Sequence, residues 1–295
     1  MVTRRNAIKN IAVFSAGSLA IPAGFEDFLK KPAKKIGLQL YTLRNDMSKD
    51  AKGTLEKVAK LGYSSVETFG YNNRKWFGFT ASELSALLKS NGLDSPSGHT
   101  FPGSFFLKSG WEETWKIAVE DAKTLGQQYI VIPWLEDAYR KSIDNYKKIA
   151  EGLNKAGEVT IQASLKLAYH NHDFEFTPVD GQTGFDILAN ETDSKLVNFE
   201  LDLFWAVKAG HDPVELFKKH PGRFVMWHVK DMDNTEKKFF TEVGNGVIDF
   251  KNIFKQAKKS GMKYFFVEQD VCPGPPISSI EKSIAYIKTN LVKLL

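Results

Sequence analysis

From Ile36 onward the chain repeats one unit, a short apolar or β-branched run followed by a longer stretch with apolar residues at helical spacing. This period constrains the fold more than any other feature. Strands are expected at Ile36–Tyr41, Ser64–Phe69, Leu93–His99, Tyr129–Trp134, Leu165–His172, Leu196–Asp202, Phe224–Lys230 and Tyr264–Gln269. Helices are expected at Lys49–Leu61, Ser82–Leu88, Trp111–Leu125, Asp137–Ala163, Gly184–Ala189, Pro213–Lys219, Phe250–Ser260 and Ile277–Leu291, with Gly62 and Asn91-Gly92 marking two of their ends. Eight strands, each followed by a helix, read as an α/β protein with a single (β/α)8 TIM barrel over residues 35–295. No Pro/Gly/Ser linker divides the run into two domains. Neither a GxGxxG after the first strand nor a Walker loop is present, so nucleotide-cofactor chemistry is not expected.

Composition matters for what it excludes. With 42% hydrophobic residues the chain has material for a large core, and no run of about 18 apolar residues is present to cross a bilayer as a helix. The lone Cys272 rules out an intramolecular disulfide and any multi-thiolate metal site, so a metal would be held by nitrogen and oxygen. Of the formal +5 charge, residues 1–23 supply three cations (Arg4, Arg5 and Lys9) and no acid. The remainder carries 37 basic against 35 acidic side chains, too little for a nucleic-acid footprint. A basic start, an apolar stretch from Ile11 to Ile21 and Pro22-Ala23-Gly24 have the layout of an export signal, and the adjacent arginines make it resemble a twin-arginine signal. Export to the periplasm is the expectation, with a signal at 1–23 and a linker at 24–34. An amphipathic helix of a cytosolic protein is the alternative.

Ligand-type residues fall at the C-terminal strand ends, which is where a barrel places its reaction site. Side chains two apart on a strand share a face. His170 and His172 share one face of the fifth strand, Glu200 and Asp202 one face of the sixth, His228 ends the seventh, and Glu268 ends the eighth. Each is alternatively an ordinary polar strand-end residue. Taken together, His170, Asp202, His228 and Glu268 from four successive strands would form an N2O2 site for a divalent cation. Two neutral imidazoles and two carboxylates carry a charge that matches a 2+ ion.

The eightfold pattern, the Tyr-His-Asn-His-Asp-Phe-Glu-Phe run at 169–176, Leu201-Asp202-Leu203-Phe204-Trp205, Trp227-His228-Val229-Lys230-Asp231 and Val267-Glu268 together resemble the sugar phosphate isomerase/epimerase family. This is the xylose-isomerase-like TIM-barrel group, which includes inosose dehydratases, ketose 3-epimerases and family 2 AP endonucleases. The resemblance covers residues 35 to 293. It implies a Mn, Co, Zn or Mg ion at the positions of His170, Asp202, His228 and Glu268. It also implies a glutamate at the first of these in ketose epimerases, forming an acid/base pair with the residue matching Glu268. His170 departs from that pattern.

Proton removal beside a metal-polarised carbonyl is the chemistry that such a site supports. The candidate bases are Glu268, His172 and Glu175, and Lys230 is placed near the developing oxyanion, with a surface lysine as the alternative. Glu67 and His99 suit hydrogen bonding to sugar hydroxyls; Glu67 alternatively orients a neighbouring ligand, and His99 alternatively lies in a loop. Trp205 and Trp134 either face a sugar ring or pack in the core. Phe-rich turns at 76–79 and 101–106 fall where a lid would lie. The expected function is a divalent-metal-dependent isomerase or epimerase of a neutral carbohydrate or keto-sugar. A lyase acting by β-elimination and a non-catalytic carbohydrate-binding protein are the alternatives, and a nuclease is disfavoured. The expected partner is a small carbohydrate, with no nucleic acid and no membrane, and a homo-oligomer is left open.

Overall fold

The computed structural model describes residues 35–295; the expected export signal and linker lie outside the described residues. Eight parallel strands close into a barrel: β1 (Gly37–Gln39), β2 (Ser65–Thr68), β3 (Asp94–His99), β4 (Tyr129–Ile132), β5 (Lys166–His170), β6 (Val197–Asp202), β7 (Phe224–Val229) and β8 (Tyr264–Val267). Each pairs with its sequence neighbours, and the seam closes with Gly37 opposite Phe266 and Leu38 opposite Val267. Helices surround the barrel, so the strands are covered on their outer faces by one large apolar cluster. Helix ends follow the local chemistry. Thr80 and Glu83 form a capping box at the start of Ala81–Ser90, and Gly126, at φ 99°, ends Trp111–Leu125 in the left-handed conformation that a Cβ disfavours. Among the described residues no helix is long and apolar enough to cross a membrane.

The barrel interior is layered. Tyr129, Val131, Ala168, Met226 and Phe266 pack into an apolar plug in its lower part. One or two residues further along the strands the inward side chains become polar: Gln39, Glu67, Ser97, His170, Glu200 and His228 are all buried there. The plug fills the barrel below these polar residues.

Several boundaries differ from the sequence expectation. β1 is short because the Gln39 side chain accepts a hydrogen bond from Tyr41 N at 3.0 Å and turns the chain into a 3-10 helix over Leu40–Leu43. β5 ends at His170, which puts His172 in the following loop. The loops after β2, β5 and β7 carry two-stranded ribbons, Lys75–Trp76 with Phe79–Thr80, Pro178–Val179 with Gln182–Thr183, and Asp231–Met232 with Phe240–Thr241. An unanticipated helix at Leu203–Lys208 starts directly after Asp202.

Candidate metal centre and catalytic cavity

Asp202 ends β6 and caps the next helix. Its Oδ1 accepts from Trp205 N at 3.0 Å, which fixes the carboxylate and leaves Oδ2 directed at the site. Lys230 Nζ comes within 2.9 Å of that oxygen, but off the hydrogen-bonding direction, so Oδ2 accepts no hydrogen bond. His170 Nε2 stands 3.6 Å from the same oxygen. On the facing strands His228 Nδ1 is 2.7 Å from Glu268 Oε2, and Lys230 Nζ is 2.6 Å from it. Asp270 closes the group with both oxygens on Lys230 Nζ, at 3.0 and 3.1 Å.

The electrostatics favour a cation here. Three carboxylates, Asp202, Glu268 and Asp270, surround one ammonium. His228 adds a second cation, because against the effect of burial Glu200, Glu268 and Glu67 raise its pKa well above the usual histidine value, which leaves one negative charge uncompensated in a buried place. Burial, with the neighbouring charge of His228, holds the His170 ring down to about 3, so it is a neutral nitrogen donor. Burial pushes the Asp202 carboxyl up to about 6 even beside Lys230. The Asp202 shift is that of a buried carboxyl whose charge its neighbours only partly compensate. Asp202, His228 and Glu268 offer one ligand atom each, all within 4.8 Å of one another. With Asp202 Oδ2, which accepts no hydrogen bond although the Lys230 ammonium lies 2.9 Å away, and His170 Nε2 3.6 Å from it, the residues present fit a divalent ion of the N- and O-binding class.

Above this group a cavity of about 590 Å³ opens to solvent. His99, His170, His172, Lys230, Glu268 and Asp270 form its polar wall, and Tyr41, Phe69 and Trp134 its aromatic rim. Asp202 and His228, fully buried, lie beneath that wall. His172 Nδ1 is buried without a partner, and burial together with the nearby His170 holds its pKa well below the usual histidine range.

The structure brings Asp202, His228, Glu268 and Lys230 together; His170 reaches this group at Asp202, with Nε2 3.6 Å from Oδ2, and otherwise gathers with His99, Glu200 and His228. His172 and His99 line the cavity, and Trp134 stands on the rim at 40% exposure. Three other candidates lie elsewhere. Glu67 is fully buried under His228, 2.6 Å from its Nε2, where no sugar hydroxyl reaches it; orienting a ligand is the role its position fits. Glu175 is fully buried outside the cavity wall, accepting from Tyr169 Oη at 2.8 Å and His172 N at 2.7 Å, so it anchors the loop that carries His172 rather than touching substrate. Trp205 packs against His172 with ring centroids 5.5 Å apart, behind the lining shell. Sequence reasoning passed over Tyr41, in the 3-10 helix after β1, Arg44, at the start of the helix Arg44–Lys49, and Phe69, just past the end of β2, and over the roles of Glu200 and Asp270. Those two acids share a face with Asp202 and Glu268 respectively, so their signal was present in the alternation.

Comparisons with known proteins agree with the fold. Residues 55–290 match the family model described as xylose isomerase-like TIM barrel. An inosose dehydratase of Clostridium perfringens is 29% identical over 225 residues, covering 64% of this chain and 75% of that protein. The crystal structure of a sugar phosphate isomerase/epimerase from Parabacteroides distasonis superposes with a TM-score of 0.77 at 29% identity, covering 90% of this chain and 96% of the other. The IOLI protein, solved with a bound zinc atom, shares the fold at a TM-score of 0.67 and 17% identity, over 88% of this chain and 99% of that one.

Proposed function

Because the chain belongs to the xylose isomerase-like TIM-barrel family, we propose that it is a metal-dependent enzyme that takes a proton from the carbon beside a carbonyl in a neutral keto-sugar or keto-cyclitol. Loss of a β-hydroxyl then completes a dehydration. One observation carries this choice of outcome, the chemical difference between the two proton-handling groups of the cavity, His172 and Lys230.

His172 is neutral because burial and His170 disfavour its charge, so its ring is available as a base. Lys230 is the opposite case: against the effect of burial, Asp202, Asp270 and Glu268 hold the proton on Nζ and raise its pKa well above the ordinary lysine value. An uncharged ring and an ammonium on one cavity wall are unlike groups, a proton acceptor and a hydrogen-bond donor that can face a departing hydroxyl, which suits elimination better than exchange at one carbon. Epimerisation instead exchanges protons on the two faces of one carbon, and His170 replaces one of the two carboxylates that the family resemblance implies for it. His170, Asp202, His228 and Glu268 would hold the divalent ion, with Mn, Co, Zn and Mg as the metals to compare. Bound there, such an ion supplies Lewis-acid polarisation of the carbonyl oxygen. Glu175 fixes the His172 loop through the His172 backbone N–H. The neutral substrate is supported by the wall itself, where Lys230 is committed to three carboxylates and Arg44 is the other cation.

The inosose dehydratase relatives favour elimination on a keto-cyclitol. Isomerisation or epimerisation is the second reading, favoured by the likeness to the Parabacteroides distasonis protein over most of the chain. Incubating metal-loaded protein with keto-cyclitols and keto-sugars in deuterated water separates the two. Dehydration gives an unsaturated ketone with new ultraviolet absorbance and loss of one carbon-bound proton in the NMR spectrum. Deuterium incorporation with no loss of water would favour the second reading, and neither change on any such compound would overturn both.

A further inference from the structure

Resting on the keto-ring reading above, we infer that the substrate is a keto-sugar joined to a second sugar ring. The keto ring lies at the buried end of the cavity and the second ring against Tyr41 and Trp134 at its mouth. The exposure of the lining residues sets the depth. His170, Lys230 and Glu268 are 2%, 2% and 4% exposed, whereas Tyr41, Trp134 and Val271 are 42%, 40% and 44% exposed. Among the described residues six large apolar side chains are exposed, and three of them line this one cavity. Apolar side chains grouped at the mouth of a polar site mark a binding surface.

Tyr41 follows β1 and Trp134 follows β4, so the aromatic surface is spread around the mouth. Each ring is held by an arginine. The Arg44 guanidinium lies 4.6 Å from the centroid of the Tyr41 ring and donates to the Tyr41 carbonyl oxygen at 3.1 Å, and that of Arg140 lies 5.6 Å from the centroid of Trp134. A keto-cyclitol or keto-hexose has about 12 non-hydrogen atoms, each needing less than the roughly 30 Å³ of a water molecule in the liquid, so it fills less than about 360 Å³. More than about 230 Å³ of the 590 Å³ cavity then remains, and from there a second ring extends into the open mouth. A sugar ring suits this surface because its C–H faces are apolar and its edges carry hydroxyls. Aromatic faces take the first, and the Arg44 guanidinium and the Tyr41 hydroxyl take the second. A purely apolar group would desolvate that guanidinium and offer it no acceptor.

Equilibrium binding tests this without turnover. Protein incubated with zinc is titrated calorimetrically with cellobiose, maltose, phenyl glucoside and the methyl glucosides of matching anomer, none of which carries the ketone. At least one disaccharide is expected to bind about tenfold or more tightly than its methyl glucoside, since each aromatic contact adds a threefold to tenfold gain of roughly that order. The double variant Tyr41→Ala, Trp134→Ala, which removes two surface side chains, should bring the two affinities within about threefold. Disaccharides that bind no tighter than the methyl glucosides, or not at all, would overturn the inference, as would a gap that survives in the variant. A gap produced by phenyl glucoside alone would assign the mouth to an aromatic substituent and overturn the sugar assignment. Turnover keeps the two readings apart: if the gap is present and no keto-sugar or keto-cyclitol reacts, the second-ring site stands and the proposed chemistry falls.

Discussion

At Asp202 two oxygens do two jobs, one capping a helix and the other facing the cation site. The two can be separated. Asp202→Asn keeps an acceptor for Trp205 N and removes the anionic donor, so it is expected to stay folded and to lose zinc affinity by at least the roughly hundredfold upper range of an outer-shell loss. Asp202→Ala should lose the metal and also about 1 kcal/mol of stability with the cap. Glu175 gives a pH prediction of a different kind. Burial raises its pKa to about 8, with hydrogen bonds from His172 and Tyr169 only partly opposing the rise. Its folded form therefore holds a proton that the unfolded chain, with an ordinary value of 4.5, has released over that interval. Stability from this group is full below the unfolded value and declines as pH rises toward the folded one. Thermal melts of Glu175→Gln should accordingly gain on wild type between about pH 5 and pH 8; a constant difference across that range would show that Glu175 is ionised in the folded protein.

At the scale of elements, the seam between β1 and β8 depends on Gly37. A Cβ there would strike the Phe266 ring and lie 2.7 Å from the Phe265 carbonyl oxygen. Gly37→Val is expected to cost about 1–3 kcal/mol through overpacking, read as a lower melting temperature, and an unchanged melt would show that the seam pairs in another register. Much of this level was readable in the sequence. The βα period named the barrel, and the two-residue alternation aimed His170, Asp202, His228 and Glu268 at one mouth because inward and outward positions alternate on every strand. That rule has two blind spots. It does not distinguish layers, so Glu200 and Asp202 read alike although one sits under the rings and the other beside the cation site. It also lapses where a strand ends: His172 shares the parity of His170 but is carried by a loop, and its position is set by Glu175, which the alternation does not govern.

For the whole molecule, an apolar plug lies below a polar cup, and an ion bound at the proposed ligands would tie β5, β6, β7 and β8 together. Since only the folded chain assembles the ligands, zinc at a hundred times its dissociation constant should raise stability by about 2.7 kcal/mol. The gain should vanish in Glu268→Gln, and a variant still stabilised by zinc would place the ion elsewhere. Export is a separate proposal, carried by Arg4 and Arg5 outside the described residues. Cell fractionation should find the protein in the periplasm and the paired lysine variant, Arg4→Lys with Arg5→Lys, in the cytoplasm; equal distribution of the two would contradict it.

The most direct measurement is anomalous diffraction at the zinc edge from zinc-soaked crystals. One peak about 2.0–2.2 Å from His170 Nε2, His228 Nδ1 and a carboxylate oxygen each of Asp202 and Glu268 is the expected result. Ordered, superposable side chains with no peak between them, or a peak bound by other residues, would contradict it.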